Sequence, residues 1–546
     1  MITLIKKLSF LVVFITLPIY PQKNSKIVKR LTHPKLVVGI VVDQMKYEYI
    51  PKFWNQYGSN GFKKIINGGF SSKNAHYTYS VTSTAPGHAT IVTGTTPNYH
   101  GIIGNDWFNP SFNKYIYCVD DNLVESIGTN TREGKKSPKN LQTTTISDEN
   151  RISTNFKGKT FSVALKDRSA VLSGGHTSEM SYWFYAKNEG KFITSSYYMN
   201  ELPIWVQNFN KRSNIHNYIK VWNTFRDIES YKESGPDLNE YELKYLGKEN
   251  STFPYDLEKI SKYKTGQINY EVIKYSPFGN DIVTDFAINA IKNEELGKDE
   301  ITDFLHINYS STDHIGHRFG SNSVEVLDTY IRLDKNIEEI IDFLDDNVGV
   351  DNYIIYLTSD HGITHVPEYL SKNKIPFNEF YSLNVFDDEL KKFIKNISNY
   401  NIYLDTDKIL QSNYTISDIK NTIKNEFKKE PWVYDVIDFN HLDEAVMYSE
   451  DYALNMIYYN SYPELRGDLA FFVKPLWHKK SSSASNHGSF RTYDTHVPII
   501  LFGYGIKKVK SYIKINVKDI APTISTILGI SFPSLTTGNP IISAIK

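Results

Sequence analysis

Three unbroken apolar runs, each leading into an aspartate, constrain this chain more than any other feature. Leu36-Val-Val-Gly-Ile-Val-Val42 ends at Asp43. Phe304-Leu-His-Ile-Asn-Tyr309 leads through Ser-Ser-Thr into Asp313-His-Ile-Gly-His317, and Tyr353-Ile-Ile-Tyr-Leu357 leads into Thr-Ser-Asp360-His361-Gly362. Continuous rather than alternating apolar residues read as strands buried on both faces, as in parallel sheets. Between the second and third runs, Val324 to Asn347 has apolar residues at Val326, Leu327, Ile331, Leu333, Ile337, Ile340, Ile341 and Leu344, the spacing of an amphipathic helix. Strand, helix and strand then make a parallel crossover, and ligands of such sheets bind beyond the carboxyl ends of the strands. The expected fold is α/β, a mostly parallel central sheet flanked by helices, with the three aspartates converging on one site.

The residue types near those aspartates point to metal ions. Asp313 and His317 stand one turn apart if their segment coils, close enough to share an ion. Asp360 and His361 are adjacent at a strand end, Asp43 adds a third carboxylate, and His487 lies in the small-residue loop Ser481-Ser-Ser-Ala-Ser-Asn486-His487-Gly488. Taken singly, a strand-end aspartate more often caps a helix and a loop histidine usually sits at the surface. Three such features at successive strand ends point instead to a site with two three-ligand sets. Cys118 is the only cysteine among 546 residues, which excludes an intrachain disulfide and a cysteine-based zinc module. Nor does its Tyr-Cys-Val-Asp-Asp setting match the segment that sulfatases oxidise to formylglycine. Nitrogen and oxygen ligation without sulfur suits catalytic Zn²⁺, although Mn²⁺ or Fe²⁺ also fits. With 61 Lys+Arg against 61 Asp+Glu, no general cationic field is available, and no nucleic-acid partner is expected.

A nucleophile is legible in Thr82-Ser83-Thr84-Ala85-Pro86-Gly87-His88, where a threonine two residues before proline reads as a helix start. Thr84 is either a simple N-cap or a hydroxyl at an anion-attracting helix terminus, activated by a neighbouring metal. Downstream, Asn105 stands in a glycine-flanked loop from which its amide could reach a phosphoryl oxygen. Lys166 and Arg168 follow Phe161-Ser-Val-Ala-Leu165; in an extended segment they face the same way and form a cationic pair. Two divalent ions, three carboxylates and a threonine alkoxide sum to zero charge, so this pair would match a phosphate monoester dianion and overcompensate a diester.

With these residues in place, the chain resembles the alkaline phosphatase superfamily, and within it the phosphate-irrepressible bacterial enzymes with a threonine nucleophile and two zinc ions. The resemblance runs from the Asp43 strand to the Ala-Pro-Thr-Ile helix near the C-terminus, and includes Lys-Asp-Arg and Thr-Ser-Ser-Tyr-Tyr198. It implies one zinc on Asp313, His317 and His487 and a second on Asp43, Asp360 and His361. It further implies Thr84 as nucleophile and metal-bound group, Asn105, Lys166 and Arg168 around the phosphoryl group, and no Mg²⁺ site, the lysine taking that place. The implied substrates are small phosphate monoesters. A nucleotide pyrophosphatase or phosphodiesterase of the same superfamily shares the ligands but generally lacks the Lys-x-Arg pair. An inactive binding protein with the same fold would have lost a ligand or the nucleophile.

The N-terminus carries Lys6-Lys7, an apolar run from Leu8 to Leu17, and Pro18 to Gln22, the plan of a secretory signal. That run falls short of the ~20 apolar residues that span a bilayer. The expected organisation is therefore a signal over 1–22, core over 30–115, an inserted cap over 116–284, core over 285–370, a second cap over 371–480 and core over 481–546. A periplasmic or secreted monomer without a stable membrane anchor is expected.

Overall fold

The apolar runs lie side by side. In the computed structural model, which describes residues 33–245, 247–376, 380–475, 477–479 and 483–546, the main sheet is built in chain order as follows. Its strands are Leu36–Val42 (β1), Phe70–His76 (β2), Thr160–Ala164 (β3), Met180–Tyr185 (β4), Lys191–Ser195 (β5), Asp303–Tyr309 (β6), Tyr353–Thr358 (β7) and His496–Gly503 (β8). Their spatial order is β2-β8-β7-β1-β6-β3-β4-β5, extended by short edge strands. β1 pairs in parallel with both β6 and β7, and β6, β3 and β4 continue the parallel set. β8 runs antiparallel to β7 and β2, and β5 runs antiparallel to β4. The signal expected over 1–22 lies outside the described residues.

Strand alternation divides the core. Leu36, Val38, Ile40 and Val42 face one cluster, while Val37 and Val41 face another. The relevant helices are Thr84–Thr93 (α1), Asp167–Gly174 (α2), Phe278–Asn293 (α3), Ser311–Phe319 (α4), Val324–Leu344 (α5) and Ile520–Leu528 (α6). The apolar stripe of α5 joins α3 in the first cluster, and Ile520, Ile524 and Leu528 of α6 enter the second. At Gly39 a Cβ would lie 2.2 Å from the Tyr356 hydroxyl, so the centre of β1 has room only for glycine.

Three boundaries differ from expectation. α5 ends at Leu344 rather than Asn347, and the chain widens into a π-turn over Asp345–Gly349. The final helix opens as a 3₁₀ turn over Val517–Asp519. The region read as a cap over 116–284 contains β3, β4 and β5, which are strands of the main sheet, and α3 crosses its end. Five-residue strands such as Thr-Phe-Ser-Val-Ala, with serine and threonine among the apolar residues, lack the unbroken apolar signal that marks β1. Within 371–480 a separate sheet forms in the order Ile394–Ser398, Asn401–Leu404, Leu469–Val473, Val433–Asp438. The helix Ile416–Lys429 seals it through Ile419, Ile423 and Phe427.

Candidate active site

Parallel pairing brings the ends of β1, β6 and β7 together, and the site forms there. Asp43 follows β1 directly, and its amide donates to the Tyr309 carbonyl at the end of β6 (2.9 Å). Asp313 is not at a strand end. It sits in the first turn of α4, where one helical turn brings His317 Nε2 to 3.1 Å from its Oδ1. Asp360 and His361 follow β7, and the His487 ring stacks on His361 with centroids 3.6 Å apart. The expected residues Asp43, Asp313, His317, Asp360, His361 and His487 are therefore brought together.

All three histidines are held the same way. Nδ1 of His317 donates to Ser485 O (2.8 Å), that of His361 to Gly362 O (2.9 Å) and that of His487 to Thr82 O (2.9 Å). A carbonyl only accepts, so Nδ1 carries a proton in each and Nε2 is the nitrogen turned to the centre, a ligand atom once it is unprotonated. The donor atoms of Asp313, His317 and His487 all lie within 4.8 Å of one another, as do those of Asp43, Asp313 and His361. Asp360 Oδ2 is 3.6 Å from His361 Nε2. Asp43 Oδ1, Asp360 Oδ2 and His361 Nε2 are buried without a hydrogen-bond partner. Each such atom costs about 1–3 kcal/mol. Three of them at one point, two from carboxylates and one from an imidazole, fit a cation. The buried Asp/His groups are consistent with a two-metal site.

The electrostatics agree. Burial, reinforced by the charges of Asp313 and Asp360, pushes Asp43 well above the ordinary carboxyl range. Burial raises Asp360 to about 6 and lowers His361 to about 3. Asp313 behaves oppositely: burial favours its neutral form, but His317 and Lys166 hold it well below the usual value. A carboxyl with a raised pKa keeps its proton until the pH passes that value, and an entering ion must displace it. Displacing the Asp360 proton should therefore make divalent-ion affinity fall below about pH 6, by up to about tenfold per pH unit, and the raised Asp43 carboxyl acts in the same direction. Titrating the metal-free protein with Zn²⁺ at pH 7.5 and pH 5 reads this directly. Equal affinity at both would contradict it.

Thr84 is buried at the first position of α1, and Ser83, not Thr84, is the N-cap residue. Its hydroxyl is thus not spent on capping. Oγ1 lies 3.4 Å from Lys166 Nζ and 3.3 Å from Arg168 Nη2. Lys166 Nζ also donates to Asp43 Oδ2 and Asp313 Oδ2, both at 2.6 Å. Burial disfavours the ammonium ion, but the two aspartates outweigh it and raise its pKa. The extended geometry expected for this cationic pair is corrected: β3 ends at Ala164, Lys166 is the N-cap residue of α2, and Arg168 lies in the first helical turn. Asp167, an acidic residue in that turn, favours the helix start. Asn105 Oδ1 accepts from the Ala85 amide (2.9 Å), which leaves Nδ2 as the donor end of its amide.

Some contributors escape a reading of the sequence. Gln44, at a positive φ of 69°, donates from Nε2 to Asp313 Oδ1 (2.6 Å) and from its amide to Asp360 Oδ1 (3.1 Å). Its one signal is adjacency to Asp43. Asp494 Oδ2 accepts from the Ser489 amide and hydroxyl, while its carbonyl accepts from the Gly362 amide, tying together the loops that carry His487 and His361. Tyr117 donates to Asp167 and accepts from Arg168 Nη1. At Gly87 a Cβ would lie 2.3 Å from the Asp360 carbonyl oxygen, so glycine lets α1 approach the end of β7. Ser83, Asn105, His317 and His487 line a cleft of about 590 Å³.

Residues 37–496 match the family described as type I phosphodiesterase / nucleotide pyrophosphatase. Alkaline phosphatase PhoV of Synechococcus elongatus is 38% identical over 97% of this chain and 94% of its own length. A Myroides odoratus protein named calcium-transporting ATPase is 38% identical over 95% of this chain and 96% of its own length. The crystal structure of alkaline phosphatase PafA matches with a TM-score of 0.89 at 36% identity, covering 94% of this chain and 99% of that one. The ATPase name describes the Myroides protein; among the described residues here, no helix is long and apolar enough to cross a membrane.

Proposed function

We propose, on the premise that this chain belongs to the type I phosphodiesterase / nucleotide pyrophosphatase family of the alkaline phosphatase superfamily, that it is an alkaline phosphatase hydrolysing small phosphate monoesters through a phosphothreonine at Thr84. The observation that carries this reading is the Thr84 hydroxyl, uncommitted to capping and flanked by Lys166 and Arg168 beside the Asp/His cluster. The likeness to alkaline phosphatases PhoV and PafA over nearly the whole chain supports it.

Two Zn²⁺ ions, one on Asp313, His317 and His487 and one on Asp43, Asp360 and His361, would supply the Lewis acidity that lowers the proton affinity of the Thr84 hydroxyl and offsets charge on the leaving oxygen. The Thr84 proton passes to solvent water as Oγ1 forms a bond to phosphorus and the ester P–O bond breaks, and the departing alkoxide or phenoxide takes a proton back from solvent. Water then cleaves the phosphothreonine, releasing phosphate and restoring the hydroxyl. Lys166 and Arg168 hold the phosphoryl oxygens throughout, Asn105 donates its Nδ2 to one of them, and the α1 N-terminus adds its dipole. Lys166 between Asp43 and Asp313 supplies the charge that a third cation, such as Mg²⁺, would otherwise bring there. We place the enzyme in the periplasm or outside the cell, as a monomer.

The Lys166/Arg168 pair decides between monoesterase and diesterase. Replacing both with alanine should lower kcat/KM for p-nitrophenyl phosphate by about 100-fold or more, on the scale of a lost oxyanion donor. Turnover of bis-p-nitrophenyl phosphate, which carries one charge fewer, should fall far less. Equal losses on the two substrates would refute the charge argument.

A further inference from the structure

The hairpin joining Ile394–Ser398 to Asn401–Leu404 ends in a turn where Asn399 and Tyr400 both have positive φ, 48° and 63°. Two-residue turns of this kind favour Asn at the first position and Gly at the second, so tyrosine there is a strained choice. Its own sheet holds it through the Phe471 amide, which donates to the Tyr400 carbonyl (3.0 Å), and two further bonds reach outside that sheet. Asn399 Nδ2 donates to the Asp106 carbonyl (2.7 Å), one residue from Asn105. The Tyr400 hydroxyl donates to the Gly488 carbonyl (3.2 Å), one residue from His487. The turn is thus clamped between the segment carrying Asn105 and the loop carrying His487. There the Tyr400 ring meets Phe471 edge-on, with centroids 5.5 Å apart, and Leu383 and Ile397 line the same cleft. One wall of the cleft is polar and includes Ser83, the residue before Thr84, with Asn105 and His487; the facing side carries Leu383, Ile397, Tyr400 and Phe471 beside Ser398 and Asn399.

We propose that this apolar wall, Leu383, Ile397, Tyr400 and Phe471, is a leaving-group subsite that selects phosphate monoesters of planar aromatic alcohols. The proposal rests on the monoesterase reading and adds the substrate class. In an in-line displacement the leaving oxygen lies opposite the attacking Thr84 oxygen. The group it carries therefore extends away from α1 into the cleft. An aromatic ring there buries its faces against Leu383 and Tyr400, whereas a methyl group reaches neither, and a polyol would set its hydroxyls against carbon. The strained turn is kept because a ring at position 400 is what the wall needs.

The test compares kcat/KM for phenyl phosphate and methyl phosphate in the full-length, zinc-loaded enzyme and its Leu383→Ala, Tyr400→Ala and Tyr400→Phe variants. The phenyl-to-methyl ratio should fall about tenfold in both alanine variants, the scale of one lost aromatic contact, and stay within about twofold of wild type in Tyr400→Phe. A ratio unmoved in Leu383→Ala and Tyr400→Ala overturns the subsite. So does a Tyr400→Phe ratio as low as that of Tyr400→Ala, because the hydroxyl rather than the ring would then be responsible. A wild-type enzyme that turns over neither ester overturns the monoesterase reading itself, and the subsite with it. Leu383 makes no bond to either ligand loop, so its variant reads the wall without disturbing His487.

Discussion

Thr84→Ala should lower monoester turnover by at least about 10³-fold and leave no phosphorylated residue to trap at low pH. Loss of a nucleophile removes the covalent route outright, and what remains is the electrostatic pocket acting on water, the residue of catalysis seen when a nucleophile is deleted elsewhere. The variant should keep its fold, because Ser83 rather than Thr84 is the N-cap residue of α1. It should also keep its ions, because all six Asp and His donors remain. Thr84→Ser, which preserves the oxygen, should retain far more activity than Thr84→Ala. Full activity in Thr84→Ala, or a phosphoryl group recovered on another side chain, would remove Thr84 from the mechanism.

Exhaustive treatment with a chelator should bring monoesterase activity to background, and Zn²⁺ should restore it. The argument is electrostatic before it is chemical. Asp43 Oδ1, Asp360 Oδ2 and His361 Nε2 are buried without partners, and the charge of Asp313 adds to burial in raising the proton affinity of both Asp43 and Asp360. An ion that binds only the folded chain stabilises it by RT ln(1 + [L]/Kd), about 4 kcal/mol at a thousandfold excess over Kd. The metal-free enzyme should therefore also melt at a lower temperature than the loaded one. Chelator-insensitive cleavage of p-nitrophenyl phosphate would refute the two-metal reading, and an unchanged melting temperature would show that the cluster holds no ion.

Lys166 shows where a linear reading stops. Its type and its place after a buried strand are visible in the sequence, and both residues of the pair do reach Thr84. The geometry expected for them was that of a strand, and the chain instead turns into α2 at that point. Asp167 favours that helix start locally, while contacts from elsewhere, Asp43 and Asp313 on Lys166 and Tyr117 on Arg168, fix where the two cations point. Gln44, adjacent to Asp43, and Asp494 carry almost no signal in the sequence, because their roles rest on bonds to Asp313 and Gly362, distant in sequence and brought near only by the fold. β3, β4 and β5 fall within the expected cap region for a related reason. A short strand with polar residues is recognisable mainly by what it pairs with.

The amino-acid order alone pointed to three buried strands with aspartates after their carboxyl ends, since continuous apolar runs and helical spacing are local properties of the chain, although Asp313 arrives one helical turn later. It also settled which residue types are available there, and hence the class of chemistry. Only the tertiary structure decided which nitrogen of each histidine faces the centre, that Ser83 frees the Thr84 hydroxyl, and that a strained turn from a second sheet walls the cleft. Those are matters of distance and direction between segments hundreds of residues apart, fixed by packing and hydrogen bonding that no single stretch of sequence contains.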